Sequence, residues 1–356
     1  MISRRFLTAA LLSGIAGTAL CAAAQTDSLP RKAGPNSLRE QVPGADVPYD
    51  SVRTRAGYRL RRITTIPQNT TGKLPTLFMV GWLSCDSVEQ PGMRTDGFAE
   101  LMYEIASRSG FITVRIDKPG VGDSEGPACA HADFQTELAA YQDAFDALSS
   151  MERVDTSKIF IIGFSNGGGF APLVARDRPV RGYLVFSGWL KTWFEHMMEH
   201  ERRRLVLAGE SPGEINRKMR LYSQFYDLYL NQKLTPGQAN ERNPALKEIW
   251  YDKPESQYGR PAAYYQQLQE LNLADAWSKV SVPVLAVHGD DDWVMSADDF
   301  DLLVNTLNAK RPGVAQSVHF ARTDHVLMLA GSKGMNADLI DPAIPKLALD
   351  WLAQHK

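Results

Sequence analysis

The chain has 356 residues, of which 44% are hydrophobic, so it can bury a sizeable core as one large domain with an insertion or as two smaller domains. The formal net charge is −2 and no run of like charge suggests a binding tail, which argues against partners such as nucleic acid or an anionic membrane surface. This charge balance favours small neutral substrates or ligands.

The first residues have the pattern of an export signal. Arg4 and Arg5 precede an apolar run over residues 6–23, and small residues follow up to Ala24, where we expect cleavage. A retained membrane anchor is the less favoured interpretation, because the run contains serine, threonine and glycine. Residues 3–7 also partly match a twin-arginine signal, so the export route stays open. The pattern predicts a periplasmic or secreted protein without a stable membrane anchor after cleavage.

Removal of residues 1–24 as a signal peptide would leave two cysteines, Cys85 and Cys129. Two thiols in an oxidising compartment favour a disulfide. Two buried free thiols are the alternative. The Cys-x-x-Cys spacing of many metal sites is absent from the sequence.

The first part of the mature chain predicts a linker and then strands. Residues 25–49 are rich in proline, glycine, serine and charge, which indicates a linker or surface arm. Asp50 to Pro67 predicts an antiparallel pair of strands around a glycine turn. Continuous apolar runs over residues 76–81 and 111–116 predict buried strands, with an amphipathic helix between them.

Strands and helices continue to alternate in the rest of the chain, with one interruption. Asp133 predicts the start of a long helix, and a buried strand over residues 159–162 leads into Ser165. The alternation stops over residues 189–279, which we predict to be a helical lid insertion. The expected fold class is α/β, a doubly wound and mostly parallel sheet built from residues 50–188 and 280–356.

The segment Gly163-x-Ser165-x-Gly167 is the most informative motif. A serine on a strained turn between a strand and a helix exposes its hydroxyl, and glycines two residues to either side permit the tight turn. A surface turn is the alternative, because glycine and serine are common. The buried strand before Ser165 and the small residues after it favour a nucleophile.

A serine nucleophile requires a histidine base and a carboxylate that orients it. Residues 290–292 are three aspartates directly after a predicted strand, and Asp324-His325 follows the next predicted strand. The resulting order of serine, aspartate and histidine is a known order for such triads. His288 and His319 fall within strand patterns and are expected to be structural.

With these motifs the chain resembles an α/β-hydrolase over residues 50–356, in particular bacterial exported members of the serine aminopeptidase or dipeptidyl-peptidase-like branch. The resemblance implies Ser165 as nucleophile and His325 as base. It also selects Asp292 as the acid, because the family often has the acid three residues after the glycine of a His-Gly pair, here His288-Gly289. Asp291 stays open as an alternative.

The resemblance also implies an oxyanion hole made of two backbone N–H groups. One would belong to Asn166, and the other to Trp82 or Leu83 in the loop after a central strand. Cys85 lies in that loop, and Cys129 follows the glycine-rich segment 117–126, which favours a disulfide at the pocket rim. Segment 117–126 resembles a loop common in the family and is expected to be scaffold, since it lacks a phosphate-loop pattern.

The charged stretch of the insertion contains Glu195, Glu199 and Glu201. Aminopeptidases of the family hold a free amino terminus with lid carboxylates. A solvated helix face is the favoured interpretation of these residues. The aromatic residues of the insertion are expected to form mainly its own core.

The expected function is an exported serine hydrolase that cleaves a small ester through an acyl-enzyme intermediate, with no metal or organic cofactor. The alternative is a serine aminopeptidase or dipeptidyl-peptidase-like peptidase acting on short peptides. A non-catalytic binding protein on the same fold is a minor alternative. The sequence leaves the substrate, the acyl chain length and the oligomeric state open.

Overall fold

The structure is a computed structural model that describes residues 29–34, 36–332 and 335–356. The predicted signal segment 1–24 lies outside the described residues. Most of the predicted strands and helices are present with closely similar bounds.

Strands and helices alternate along most of the described chain. The strands are β1 (Ala45–Asp46), β2 (Tyr49–Arg53), β3 (Arg59–Pro67), β4 (Leu74–Val80), β5 (Ile112–Ile116), β6 (Val154–Phe164), β7 (Gly182–Phe186), β8 (Ser256–Gln257), β9 (Arg260–Pro261), β10 (Val284–Gly289) and β11 (Ala315–Phe320). The helices are α1 (Gly97–Arg108), α2 (Phe134–Asp146), α3 (Asn166–Ala175), α4 (Trp193–Leu207), α5 (Pro212–Tyr226), α6 (Pro236–Arg242), α7 (Ala262–Gln269), α8 (Leu273–Ser278), α9 (Ala297–Lys310) and α10 (Ala343–His355).

Within the described residues, the central sheet has nine strands in the order β1-β3-β5-β4-β6-β7-β10-β11, with β2 paired to β3 at one end. Neighbouring strands are parallel from β5 to β11, whereas β3 pairs antiparallel with β5. Strands β8 and β9 form a separate antiparallel pair. The predicted α/β class with a mostly parallel sheet is therefore confirmed, and β6, which leads into Ser165, lies in its middle.

The sheet is covered on both faces because its central strands are apolar on both sides. In β4, Leu77 and Met79 belong to the cluster formed with α1 and α10, whereas Phe78 and Val80 belong to the cluster formed with α2, α3 and α9. Successive strand residues point to opposite faces, so one apolar run serves two layers of helices. This is the doubly wound arrangement.

The segment expected to be a linker or surface arm lies against the sheet from residue 29 onward, apart from residue 35, which is not described. Glu40 accepts hydrogen bonds from the buried guanidinium of Arg115 on β5, with 2.9 and 2.5 Å between nitrogen and oxygen. Arg61 on β3 donates to the carbonyl of Leu29 at 2.6 Å. A buried charge requires such a partner, so the arm supplies partners for arginines of β3 and β5.

The helices α4 to α8 lie between β7 and β10, where the sequence predicts a helical insertion. The aromatic residues of α5 and α7 are largely buried and pack on one another, as Tyr222 and Tyr226 do with ring centroids 6.0 Å apart. Among the described helices, none has the length and apolar character that a bilayer span requires.

Candidate active site

Ser165 occupies the turn between β6 and α3 in an unusual backbone conformation. Its φ is 52° and its ψ is −122°, and its N–H donates to the carbonyl of Phe186 at 2.9 Å. A positive φ is uncommon for a non-glycine residue and is characteristic of the strained turn that presents a nucleophilic serine. The strand-to-helix turn predicted from the sequence is therefore present.

The flanking glycines are required by close packing. A Cβ atom on Gly163 would lie 2.7 Å from the Cα of Gly168, so the start of α3 could not approach β6. A Cβ on Gly167 would lie 2.3 Å from the carbonyl oxygen of Gly81. The second contact brings the loop after β4 against the residues that follow Ser165.

Ser165, His325 and Asp292 form a continuous chain of hydrogen bonds. The Oγ of Ser165 is 2.9 Å from Nε2 of His325, and Nδ1 of His325 is 2.9 Å from Oδ2 of Asp292. An ionised Asp292 keeps a proton on Nδ1, so that Nε2 is free to accept the serine proton. The arrangement has the geometry of a catalytic triad.

Asp292 is well placed to stay ionised. Its side chain is buried, which alone would raise its pKa, but the His325 imidazole and hydrogen bonds hold the pKa below its usual range. Its Oδ1 accepts the N–H groups of Val294 and Met295, each at 2.9 Å. Asp291, the alternative acid from the sequence, has an exposed side chain. Its backbone N–H donates to the carbonyl of Thr323, in the loop that leads to His325.

The loop that carries His325 is fixed from both sides. Oδ1 of Asp324 accepts the N–H groups of Val326 at 3.0 Å and Met328 at 2.8 Å. The hydroxyl of Ser187 donates to the carbonyl of His325 at 3.0 Å. In the Asp324-His325 pair noted in the sequence, Asp324 therefore stabilises the turn and His325 contacts Ser165.

The amides proposed for the oxyanion hole lie beside Ser165. In the described part of the chain, the N–H groups of Trp82, Leu83 and Asn166 donate no hydrogen bond. All three residues line the cavity that contains Ser165. They are therefore available to a ligand, and the choice between Trp82 and Leu83 stays open.

Lys118 and Arg260 were not predicted from the sequence as functional residues. Both donate hydrogen bonds to backbone carbonyls of the loop that contains Trp82 and Leu83. The ammonium of Lys118 donates to the carbonyls of Trp82 at 2.6 Å and Ser84 at 2.5 Å, and Arg260 donates to that of Leu83 at 3.1 Å. Lys118 is 2% exposed, and burial lowers its pKa to about 8. In the sequence, only the position of Lys118 between a buried strand and a Pro-Gly turn could have indicated its role.

The sulfurs of Cys85 and Cys129 are at bonding distance, with 2.00 Å between them and 5.8 Å between the Cα atoms. The Cα separation is within the range that disulfides require. Cys85 directly follows the loop of Trp82 and Leu83, and Arg260 donates to the carbonyl of Cys129 at 3.0 Å. A disulfide at this contact would tie the same loop to the turn before α2.

A cavity of about 550 Å³ opens above Ser165. One wall comes from the sheet side, where the rings of Trp82 and Phe98 stack with centroids 6.1 Å apart. The opposite wall comes from α4 and contains Trp193, His196 and His200. The cavity can enclose a small organic molecule between aromatic surfaces.

The prediction that Glu201 belongs to a solvated helix face is wrong. Glu201 is fully buried and accepts hydrogen bonds from the hydroxyls of Tyr226 at 3.0 Å and Tyr251 at 2.9 Å. Its other oxygen is 2.8 Å from Nε of Arg204. A run of polar letters does not reveal this burial, because the tyrosines that cover Glu201 are distant in sequence.

The other two carboxylates of α4 are also engaged. Glu195 forms a capping box with Thr192 at the start of the helix, and Glu199 pairs with Lys191. Neither lines the cavity above Ser165.

Comparison with known proteins identifies relatives. The family described as serine aminopeptidase, S33, matches residues 92–315, more than half of the chain. "Esterase EstD" from Thermotoga maritima is 22% identical over 247 residues, which are 69% of this chain. That match spans only 53% of the length of the relative.

Solved structures share the fold at low identity. Est1E from Butyrivibrio proteoclasticus, solved with ferulic acid bound, has a TM-score of 0.55 at 17% identity and covers 86% of this chain and 98% of its own. The acylaminoacyl peptidase of Pyrococcus horikoshii has a TM-score of 0.54 at 12% identity and covers 87% of this chain and 40% of its own. The predicted α/β-hydrolase fold is confirmed.

Proposed function

Because the chain belongs to the serine aminopeptidase S33 family of hydrolases, we propose that it is a serine hydrolase that cleaves a small ester. The observation that carries the proposal is the hydrogen-bonded chain from Ser165 through His325 to Asp292 at the base of the cavity. A serine on a strained turn, in contact with a histidine oriented by a buried carboxylate, is arranged for nucleophilic attack.

In the proposed reaction the Oγ of Ser165 attacks the ester carbonyl while Nε2 of His325 accepts its proton. The tetrahedral intermediate collapses when His325 returns that proton to the departing alcohol oxygen, leaving an acyl group on Ser165. Water then attacks the acyl group with His325 as base, and the acid and free Ser165 are released. Asp292 holds the tautomer and stabilises the imidazolium in both steps.

The backbone N–H of Asn166 and that of Trp82 or Leu83 would bind the oxyanion in this reaction. Support comes from their position on the cavity and from their free hydrogen-bonding capacity within the described residues. In other serine hydrolases the loss of one donor costs roughly 2.7–4 kcal/mol of transition-state stabilisation. The buried contacts of Lys118 to this loop would preserve its geometry.

An ester is favoured over a peptide with a free amino terminus. Recognition of an ammonium group requires a carboxylate that the ammonium can reach. Glu195, Glu199 and Glu201 do not line the cavity, and Glu201 is already paired with Arg204. The cavity carboxylates are also occupied in part, since Asp96 caps α1 and Asp86 accepts a hydrogen bond from Ser84. The serine aminopeptidase or dipeptidyl-peptidase-like activity is the second candidate, favoured by the family description alone.

The other parts of the proposal concern the insertion and the compartment. Residues 189–279 would act as a lid, because α4 supplies one wall of the cavity.

Cleavage near Ala24 would deliver the protein to the periplasm or the exterior by the general or the twin-arginine route. A disulfide between Cys85 and Cys129 would be compatible with such an oxidising compartment.

A parallel panel of substrates tests the proposal. Purified mature protein is assayed with p-nitrophenyl esters of increasing acyl length and with aminoacyl and prolyl anilides, beside Ser165→Ala as the control. Ester turnover that is absent from the control supports the proposal. Turnover of anilides alone would favour the peptidase, and no turnover of either class would favour a binding protein.

A further inference from the structure

The carboxylate of Glu137 on α2 joins the insertion to the α/β core at a fully buried point. It accepts hydrogen bonds from the guanidinium of Arg260 and from the hydroxyl of Tyr264, the latter at 3.3 Å. The ammonium of Lys118 lies 4.0 Å from the same carboxylate. Arg260 and Tyr264 belong to the insertion, whereas Glu137 and Lys118 belong to the core. A buried charge needs such partners, and here each partner also contacts the backbone or side chain of another residue.

One branch of this network leads to Asn166, a proposed oxyanion donor. The hydroxyl of Tyr264 accepts from the side-chain nitrogen of Asn166 at 2.9 Å and donates to Glu137, a direction that follows because a carboxylate only accepts. Burial raises the pKa of Tyr264 well above its usual value and Glu137 raises it further, so the hydroxyl keeps its proton. Within the described residues, the side-chain oxygen of Asn166 has no partner. The bond to Tyr264 is therefore what holds this amide in place.

The insertion also holds the backbone of Asn166. The indole Nε1 of Trp189, the first residue of the insertion, donates to the carbonyl of Asn166 at 3.2 Å. A Cβ atom on Gly169 would lie 2.1 Å from that nitrogen, so the ring of Trp189 packs directly on α3. Two residues of the insertion, Trp189 and Tyr264, thus fix the residue whose N–H is proposed to bind the oxyanion.

The other branch leads to the loop after β4. Arg260 donates from Nε to the carbonyl of Leu83 at 3.1 Å and from Nη1 to that of Cys129 at 3.0 Å. Lys118 donates to the carbonyl of Trp82, the preceding residue. The peptide planes on both sides of Leu83 are therefore held, one from the core and the other from the insertion. Since a planar peptide fixes its N–H together with its carbonyl, these contacts set the direction of the loop amides.

We propose that Arg260 and Tyr264 are positioning residues for the oxyanion hole, so that the insertion completes the catalytic site as well as covering it. The inference rests on the proposed ester hydrolysis. Neither residue lines the cavity above Ser165, so each acts through a donor that does, Arg260 through the loop at Leu83 and Tyr264 through Asn166. Glu137 pairs with both and keeps the two donors in one geometry. Oxyanion donors act mainly on the transition state, because the charge on the oxygen develops there.

Tyr264→Phe tests the branch to Asn166, since it removes one hydroxyl and keeps the ring. The matched control is Tyr265→Phe, the next residue on α7, which is equally buried and donates to the carbonyl of Gln257 inside the insertion at 2.7 Å. For p-nitrophenyl butyrate, Tyr264→Phe should lower kcat/KM by about tenfold or more, because a small misplacement of a catalytic group is costly. Tyr265→Phe should leave kcat/KM unchanged. Rates are expressed per chain that a fluorophosphonate labels at the end point, which removes any misfolded fraction.

A pair of inhibitors separates positioning from a general loss of structure. An alkyl trifluoromethyl ketone forms an oxyanion adduct with a nucleophilic serine, whereas the corresponding secondary alcohol forms none. In Tyr264→Phe the inhibition constant of the ketone should rise by about the factor by which kcat/KM falls. The inhibition constant of the alcohol should change by less than about twofold, because the alcohol binds without an oxyanion.

Arg260→Met tests the branch to the loop in the same way. Its matched control is Arg115→Met, because Arg115 is also a buried arginine that pairs with a carboxylate, that of Glu40, and donates to a backbone carbonyl, that of Val88 at 2.9 Å. Arg115 does not line the cavity above Ser165. Arg260→Met should lower kcat/KM by about tenfold or more and raise the inhibition constant of the ketone in parallel. Arg115→Met should lower stability alone.

The outcomes decide between positioning and support of the fold. Equal kcat/KM in Tyr264→Phe and Tyr265→Phe would overturn the inference. A fall in kcat/KM without a parallel loss of ketone affinity would also overturn it, since the oxyanion donors would then be intact. If Arg260→Met does not fold, as judged by circular dichroism, the result for Tyr264→Phe decides. Absence of all ester turnover in the wild type would instead contradict the proposed function.

Discussion

The buried ammonium of Lys118 donates a hydrogen bond to the carbonyl oxygen of Trp82, with 2.6 Å between the two atoms. It also donates to Ser84 at 2.5 Å, and the carboxylate of Glu137 lies 4.0 Å away. In a trans peptide the carbonyl and the next N–H point in opposite directions. The contact with Trp82 therefore directs the N–H of Leu83 away from Lys118, so this lysine positions the loop proposed to bind the oxyanion.

Lys118→Met should lower kcat/KM for esters by about tenfold or more. The variant removes the contacts that orient the loop, and a misplaced oxyanion donor loses part of the roughly 2.7–4 kcal/mol that such a donor contributes. Steady-state kinetics beside Lys158→Met, an exposed lysine on β6, provide the measurement and its control. Equal activity of the two variants would contradict this role.

The same lysine predicts a pH dependence. Burial lowers the pKa of Lys118 to about 8, so its amine loses a proton, and with it the charge-assisted hydrogen bonds, as the pH rises through that value. Wild-type activity should therefore decline on the alkaline side of about pH 8, after correction for spontaneous ester hydrolysis. Lys118→Met should lack that decline. An identical alkaline limb in both proteins would assign it to another group.

The positions of Ser165, Asp292 and His325 could be predicted from the sequence because each follows a strand with a clear local pattern. Strands of a parallel sheet bring their carboxyl ends together, so local patterns were enough to place the three residues on one edge. The structure brings all three into contact. The acid could be chosen among three adjacent aspartates only through a family resemblance.

The roles of Lys118, Glu40 and Glu201 could not be predicted, because each depends on a partner distant in sequence. Lys118 and Trp82 are 36 positions apart, Glu40 and Arg115 are 75 apart, and Glu201 and Tyr251 are 50 apart. The periodicity of apolar residues within a strand or helix does not indicate contacts between residues so far apart in sequence. The polar letters around Glu201 suggested a solvated helix face, although burial with a specific partner was the outcome.

Asp292→Asn should reduce kcat far more than Asp291→Asn. An amide at position 292 cannot hold the useful tautomer of His325, and the equivalent change in other triads costs roughly 10⁴-fold. Asp291 is exposed and contributes to its loop through the backbone, so its variant should lose less than about tenfold. Titration of both variants with substrate provides kcat, and the reverse ranking would move the acid by one residue.

Reduction of the Cys85 and Cys129 pair should lower activity before it unfolds the protein. The link closes a loop with a sequence separation of 44, for which chain entropy predicts about 4 kcal/mol as an upper value. Activity and far-ultraviolet circular dichroism are followed together as reductant is added, with Cys85→Ser/Cys129→Ser as the unlinked reference. Two free thiols in protein purified from an oxidising compartment would rule out the bond.

Glu201→Gln should affect stability and leave the choice of substrate unchanged. The substitution removes the charge that Arg204 partners inside the insertion, and we expect the free energy of unfolding to fall by about 1–3 kcal/mol. Denaturant titration measures the loss, with Glu195→Gln at the exposed end of α4 as the control. A selective rise in KM for aminoacyl anilides would instead place Glu201 at the amino group of a peptide substrate.

Covalent labelling with a fluorophosphonate, followed by peptide mass spectrometry, tests directly whether Ser165 is the nucleophile. We expect one label per wild-type chain, carried by Ser165, because among the described residues only its hydroxyl contacts a histidine that is itself oriented by a buried carboxylate. Ser165→Ala should fold normally, take up no label and lose all but less than about a thousandth of the ester turnover. A label on another residue, or turnover retained by Ser165→Ala, would contradict the assignment of Ser165 as the nucleophile.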